Sequence, residues 1–153
     1  MEIINFNMDY IQEVQTLLGD CTPYVLPHHP YVYWIMNIYY PSLCYVAREN
    51  NKAAGFVCAL HSVEKDCIFI WQLAVGNSHR RKGVAEMLCD EIIKYANKHK
   101  ISSVQTTIND NNTASVKFFT KFANKYGNEF EKIQLPGLNN FENESAYIIK
   151  LHD

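Results

Sequence analysis

Residues 78–85 read Ser-His-Arg-Arg-Lys-Gly-Val-Ala: three consecutive cations and a glycine, set between an apolar run that ends at Val75 and an apolar-periodic stretch that begins at Val84. That grouping suits an anion. A strand that turns into a helix leaves the helix's first amides unpaired and pointing outward, at the positive end of the helix dipole. Gly83 lacks the Cβ that would hold a ligand off the backbone, and Arg80, Arg81 and Lys82 add formal charge at the same end. Without an anion, cations at a helix N-terminus oppose the dipole by about 0.3–1 kcal/mol each. The stretch therefore reads as a pyrophosphate site, the competing reading being a solvated loop whose cations only aid solubility.

Other reactive side chains carry weaker signals. His28 and His29 are adjacent, so they project differently, and no third ligand is spaced with them; no metal site is expected. The five cysteines, Cys21, Cys44, Cys58, Cys67 and Cys89, are odd in number, show no CxxC spacing and sit mostly in apolar segments. They read as reduced core residues of a cytoplasmic protein, none with an activating neighbour.

The elements that must position these groups follow from periodicity. Residues 2–6 form a short strand, and 8–18 carry apolar residues at helical spacing (Ile11, Val14, Leu17, Leu18). Pro23, Pro27 and Pro30 enforce a loop. An aromatic helix covers 31–40, and 43–49 and 53–63 flank a polar turn as a hairpin. Near-continuous apolarity over 66–75 predicts a central strand covered on both faces. A helix over 83–99 presents Val84, Leu88, Ile92 and Tyr95 on one face, and 103–109 alternate as a strand. A helix over 112–126 is capped by Asn112 or Thr113, and strands near 131–135 and over 145–151 close the chain. The result is a single mixed α/β domain over residues 1–153.

The totals bound the partners. An apolar fraction of 48% supports a core, and a formal net charge of -2 argues against nucleic acid. No apolar run of about 18 residues spans a membrane, and the N-terminal stretch, with Glu2, lacks the apolar region of a secretory signal.

Arg80, Gly83 and Ala85 match the Arg/Gln-x-x-Gly-x-Gly/Ala loop of the GNAT acetyltransferases, which the whole chain resembles; residues 71–75 resemble that family's fourth strand and 109–122 its Asn-x-x-Ala helix segment. Residues 30–49, 68–75, 104–119 and 144–151 resemble the diaminobutyrate acetyltransferases of ectoine synthesis in particular. The resemblance implies an α/β (α+β) GNAT fold: a mixed, mostly antiparallel sheet of about six to seven strands, flanked by about four helices and splayed between strands 4 and 5. It implies acetyl-CoA as co-substrate with no metal, and a primary amine of a small molecule as acceptor.

It also implies roles. The strand segment Leu73, Ala74 and Val75 would bind the thioester carbonyl and pantetheine by its main chain, a donor there being worth roughly 3–4 kcal/mol. Arg80, Arg81, Lys82, Gly83, Val84 and Ala85 would hold the pyrophosphate, with Asn112, Ser115, Phe118 and Phe119 along the later helix. His28, His29, Tyr31, Tyr33, Trp71, Thr106 and Thr107 would line the acceptor pocket, although Trp71 reads equally as core. An amine of pKa about 10.4 is neutral in roughly one molecule in 2,500 at pH 7, so a base or a desolvating pocket is needed. Glu144 is the candidate base and a solvated loop acid the blander reading; His28 and His29 are further catalytic candidates. Many GNAT enzymes place a tyrosine acid where this chain has Phe119, which leaves Tyr126, lower on the same helix, as a substitute.

One loop departs from the diaminobutyrate pattern. Leu26 stands where an acid is expected, and His28 and His29 replace Asn and Ser. A second ammonium wants an anionic partner, so diaminobutyrate is one candidate among small amines and amino acids. The competing classes are a GNAT-fold module that binds acyl-CoA without turnover and an acetyltransferase of protein or peptide amines. The abundant aromatic surface makes a homodimer a candidate assembly.

Overall fold

The computed structural model describes residues 1–152, with side chains at all of them except positions 127 and 128. The chain forms seven strands, β1 (Glu2–Asn5), β2 (Cys44–Glu49), β3 (Lys52–Ser62), β4 (Cys67–Val75), β5 (Ser103–Asn109), β6 (Gly127–Ile133) and β7 (Glu144–Leu151). Four helices accompany them, α1 (Ile11–Gly19), α2 (Pro30–Tyr39), α3 (Val84–His99) and α4 (Thr113–Tyr126). One sheet takes the order β1-β2-β3-β4-β5-β7-β6. Every pairing is antiparallel except β4 with β5. The apolar run of β4 thus lies in mid-sheet, as its composition requires.

Alternation along the strands divides the core in two. Val57 and Ala59 of β3, with Ile68 and Ile70 of β4, pack under Leu88, Ile92 and Ala96 of α3 and Phe119, Phe122 and Ala123 of α4. Phe56 and Cys58 of β3, with Ala74 of β4, face the opposite side and meet Val14, Leu17 and Leu18 of α1 and Tyr33 and Met36 of α2. Close approach of α3 to the sheet depends on Gly55. A Cβ built there would lie 2.8 Å from Val84 Cγ1, 3.0 Å from Leu88 Cδ1 and 3.1 Å from the Ala74 carbonyl oxygen.

The strand and helix order agrees with the sequence pattern; several bounds shift by a residue, the first helix starts at Ile11 after a 3-10 turn at Met8–Tyr10, and two further shifts have a visible cause. The α2 helix starts at Pro30, capped by His29, whose Nδ1 accepts the Tyr31 N–H at 3.2 Å. The β6 strand begins directly after α4 rather than near residue 131. Its first residues are poor strand formers, and pairing with β7 across a bulge between Gly127 and Phe130 makes them a strand.

Candidate active site

The site grows from one irregularity in β4. Its pairing with β3 runs Cys58↔Gln72 and then Ala59↔Ile70, so Trp71 is an extra, bulged residue. Its parallel pairing with β5 ends at the same place, at Ile70↔Thr106. Beyond that point the residues from Trp71 to Val75 and those from Thr107 to Asn109 continue in the same direction with no pairing between them, and the sheet opens into a V. This is the splay that the resemblance implied.

The β4 arm turns main-chain groups into that V. Gly76 donates its N–H to the Ala54 carbonyl at 2.9 Å, which assigns Gly76, Ala74 and Gln72 to the hydrogen-bonded register with β3. Alternation then directs the N–H and C=O of Leu73 and Val75 away from β3. The Val75 carbonyl accordingly accepts Arg80 Nε at 3.3 Å and the Cys21 thiol at 3.5 Å. Burial raises the Cys21 thiol, against a lowering by Arg80.

A cleft of about 530 Å³ lies between the β4 arm and α4 and runs past the start of α3. Arg81 and Gly83 adopt positive φ, 62° and 79°, and tighten the turn that aims α3 at the cleft. The first helical bond is Met87 N–H to the Gly83 carbonyl at 3.0 Å, so the amides of Val84, Ala85 and Glu86 precede it. A Cβ on Gly83 would meet no atom within 4 Å and would project into free space at this turn. Among the expected coenzyme residues, Leu73, Ala74, Val75, Arg80, Arg81, Gly83, Val84, Ala85, Asn112, Ser115 and Phe118 all line the cleft.

Two expected coenzyme residues do not. Lys82 is exposed and is not among the residues that line the cleft. Phe119 is 4% exposed and stacks on Phe130 at 6.1 Å, because its face of α4 turns to the sheet. Cys21, Tyr24, Val25, Glu86, Lys121 and Phe122 also line the cleft and were not anticipated. Phe122 was findable as the residue one helical turn beyond Phe118. Tyr24 was not, since its loop has no period. Its hydroxyl donates to the Asn111 carbonyl at 3.2 Å and joins the α1–α2 loop to the β5–α4 loop.

His28 and Tyr33, expected at the acceptor pocket, lie on the α1–α2 face. Buried Tyr33 accepts the His28 N–H at 3.0 Å and donates to Gln72 Oε1 at 3.1 Å. Gln72 Nε2 donates to the Leu26 carbonyl at 2.8 Å, and Gln15 Nε2 to the His28 carbonyl at 3.0 Å. The loop is therefore pinned at several points, and the His28 ring lies 4.8 Å from the Trp71 ring. Trp71 is 37% exposed, which decides its open reading against core. On the β5 arm, Thr107 hydrogen-bonds Glu144 of β7; burial raises the Glu144 carboxyl, the Thr107 bond opposes this, and nearby Asp110 adds to it.

Four expected residues are placed elsewhere. Thr106 is buried and donates to the Ile70 carbonyl at 3.1 Å, closing the apex of the V. Tyr31 points outward, 60% exposed and stacked on Trp34. His29 is spent on the α2 cap. Tyr126 sits between α3 and α4, donates to the Asp90 carboxylate and lies under Lys125 Nζ, off the cleft. Burial first, then the bond to Asp90, raise its phenol.

All five cysteines are free and buried, and burial pushes Cys44 up to about 12. Among the described residues no helix is long and apolar enough to cross a membrane, and no three metal-ligating side chains converge.

Curated relatives share this sequence pattern. The L-2,4-diaminobutyric acid acetyltransferase of Halalkalibacterium halodurans is 38% identical over 103 residues, 67% of this chain and 54% of that protein. The enzyme of the same name from Marinococcus halophilus is 35% identical over 96 residues, 62% of this chain and 56% of that protein. The chain thus spans about half the length of these curated relatives. Among solved structures, diaminobutyrate acetyltransferase EctA from Paenibacillus lautus, in complex with L-2,4-diaminobutyric acid and coenzyme A, superposes with a TM-score of 0.86 at 24% identity, covering 99% of this chain and 98% of that one. Ard1 from Thermoplasma volcanium gives 0.83 at 17% identity over 99% and 98%. Both show the shared fold. The sequence itself matches the acetyltransferase (GNAT) family over residues 11–123, from α1 through most of α4, and the chain belongs to that family.

Proposed function

We propose that this chain is an N-acetyltransferase that moves an acetyl group from acetyl-CoA to a primary amine of a small molecule, a small amino acid or a diamine such as 2,4-diaminobutyrate. The observation that carries the reading is the alignment of the Leu73 and Val75 main-chain groups, which no neighbouring strand pairs, with the N-terminus of α3 along one cleft. Pantetheine is an extended amide chain, and it fits beside a strand arm that has lost its neighbour. The diphosphate fits the amides of Val84, Ala85 and Glu86, with Arg80 and Arg81 on the wall. The names of the curated relatives support the diamine.

The chemistry follows from that placement. A β4 amide facing the V polarises the thioester carbonyl and stabilises the oxyanion that forms on attack. The neutral amine attacks from the α1–α2 face, between the His28–Trp71 wall and the Thr107–Glu144 wall. Among the described residues, the position of the family's tyrosine acid is a buried phenylalanine and Tyr126 is off the cleft, so the thiolate leaves without help from either.

Leu26 is 57% exposed at the rim, and the chain has no acid at that loop position for a second ammonium. Glu144 and Asp110 are the anions on the other wall. A single domain suffices for this reading, and a cytoplasmic setting suits both acetyl-CoA and five reduced thiols. The exposed apolar face of α2, formed by Tyr31, Trp34, Ile38 and Tyr39, supports a homodimer, which light scattering tests.

The deciding experiment mixes protein, acetyl-CoA and a panel of amines with a thiol reagent. Steady thiol release with a small diamine or amino acid is the expected result. Coenzyme binding with no release for any amine would make the chain a binding module instead.

A further inference from the structure

We infer that His28 is the catalytic base that takes the proton from the acceptor's ammonium, supplied by the α1–α2 loop rather than by the sheet. This rests on the acetyltransferase reading above. Two observations carry it. The first is position: Trp71 is the first residue of β4 beyond the last β4–β5 pair, and the His28 ring lies 4.8 Å from the Trp71 ring. That places the imidazole beside the first residue of the β4 arm, and Trp71 precedes Leu73 by two residues along that strand.

The second is fixation. The His28 main chain is held at both its polar groups, the N–H by Tyr33 and the carbonyl by Gln15. The ring is thus aimed by the backbone, while neither ring nitrogen has a protein hydrogen-bond partner among the described residues. His29 and His79 differ: His29 caps α2, and His79 is engaged by Ser78 and Glu49.

Glu144 is less well placed. It pairs with Asn109 on the β5 arm, and its carboxyl is already engaged by Thr107.

The step balances as follows. The ammonium gives one proton to an imidazole nitrogen, and the free amine's lone pair attacks the thioester carbonyl carbon. The C–N bond forms and the C–S bond breaks, its electron pair leaving on sulfur. The second nitrogen proton ends on the thiolate, and the imidazolium returns its proton to water.

The groups facing His28 bear on any pH profile. From α2 these are Tyr33 and, next in chain, His29; from α1, neutral Gln15; from β4, neutral Trp71 and Gln72; Glu144 and Asp110 are the acids at the end of the β5 arm.

The test is the pH dependence of kcat/KM for wild type, His28→Gln, His28→Ala with added imidazole, and Glu144→Gln. His28→Gln is expected to lower kcat by about 10²-fold, to abolish the acid limb and to leave coenzyme affinity unchanged. Added imidazole restores His28→Ala in proportion to its concentration, and Glu144→Gln keeps the limb. A His28→Gln enzyme with kcat within about twofold of wild type and only a raised KM overturns the inference, as does an acid limb that survives it and vanishes in Glu144→Gln. A wild type that binds coenzyme but turns over no amine removes the acetyltransferase reading itself, and the base with it.

Discussion

The Tyr33 hydroxyl donates to Gln72 Oε1 at 3.1 Å, and through this bond the α2 helix grips β4 one residue past the Trp71 bulge. Gln72 passes the connection on to the Leu26 carbonyl, and Tyr33 to the His28 amide. A core tyrosine thus sets the α1–α2 loop against the strand arm that lines the cleft. Burial raises the Tyr33 phenol, so it stays a neutral donor. Tyr33→Phe leaves the Gln72 oxygen and the His28 N–H without this partner, at a cost of about 1–3 kcal/mol. Thermal melting checks the loss, and steady-state kinetics should show a raised KM for the amine with coenzyme affinity unchanged.

Gly83 has φ 79° at the start of α3. A branched residue is strained there and also crowds the ligand side of the turn. Gly83→Val should weaken coenzyme A binding about tenfold or more, a change of about 1.4 kcal/mol or above, as read by calorimetry.

Gly55 is a separate case, because its missing Cβ makes room for Val84 and Leu88. Gly55→Val forces α3 off β3, and overpacking of this kind costs typically 1–3 kcal/mol. Denaturant unfolding checks it, with a midpoint that falls while the slope holds.

Phe119→Tyr restores the residue type of the family's acid. The ring is 4% exposed and stacked on Phe130, so its new hydroxyl enters an apolar core. The expected outcome is a loss of about 1–3 kcal/mol in stability and no gain in kcat.

The Glu144 carboxyl is raised above its ordinary 4.5, first by burial. The folded state therefore binds its proton more tightly than the unfolded chain does. Stability from this group is fully present below pH 4.5 and is lost as pH rises through the raised folded value. Melting temperatures of Glu144→Gln should match wild type in acid and exceed it at neutral pH.

Much of this was legible in the sequence. The Ser78–Ala85 stretch pointed to the turn that lines the cleft, because charge, glycine and helix start coincide within one turn. The run Cys67–Val75 announced a central strand because both of its faces are buried. What stayed hidden depended on pairing. The Trp71 bulge exists only in the register with β3, and nothing local marks it. Phe119 and Phe118 are neighbours in sequence, but which one faces the cleft is decided by how α4 rotates onto the sheet. Tyr126 satisfied a spacing argument, yet Asp90, distant in sequence, claims its hydroxyl.

The central claim is that coenzyme A lies in the V between β4 and β5 with its diphosphate on the first amides of α3. Titration of coenzyme A into ¹⁵N-labelled protein tests it directly by amide chemical shifts. Saturable shifts at Val84, Ala85 and Glu86, moving together with Leu73 and Val75, are the predicted result. Shifts that spare both groups, or no shifts at millimolar coenzyme, would contradict it.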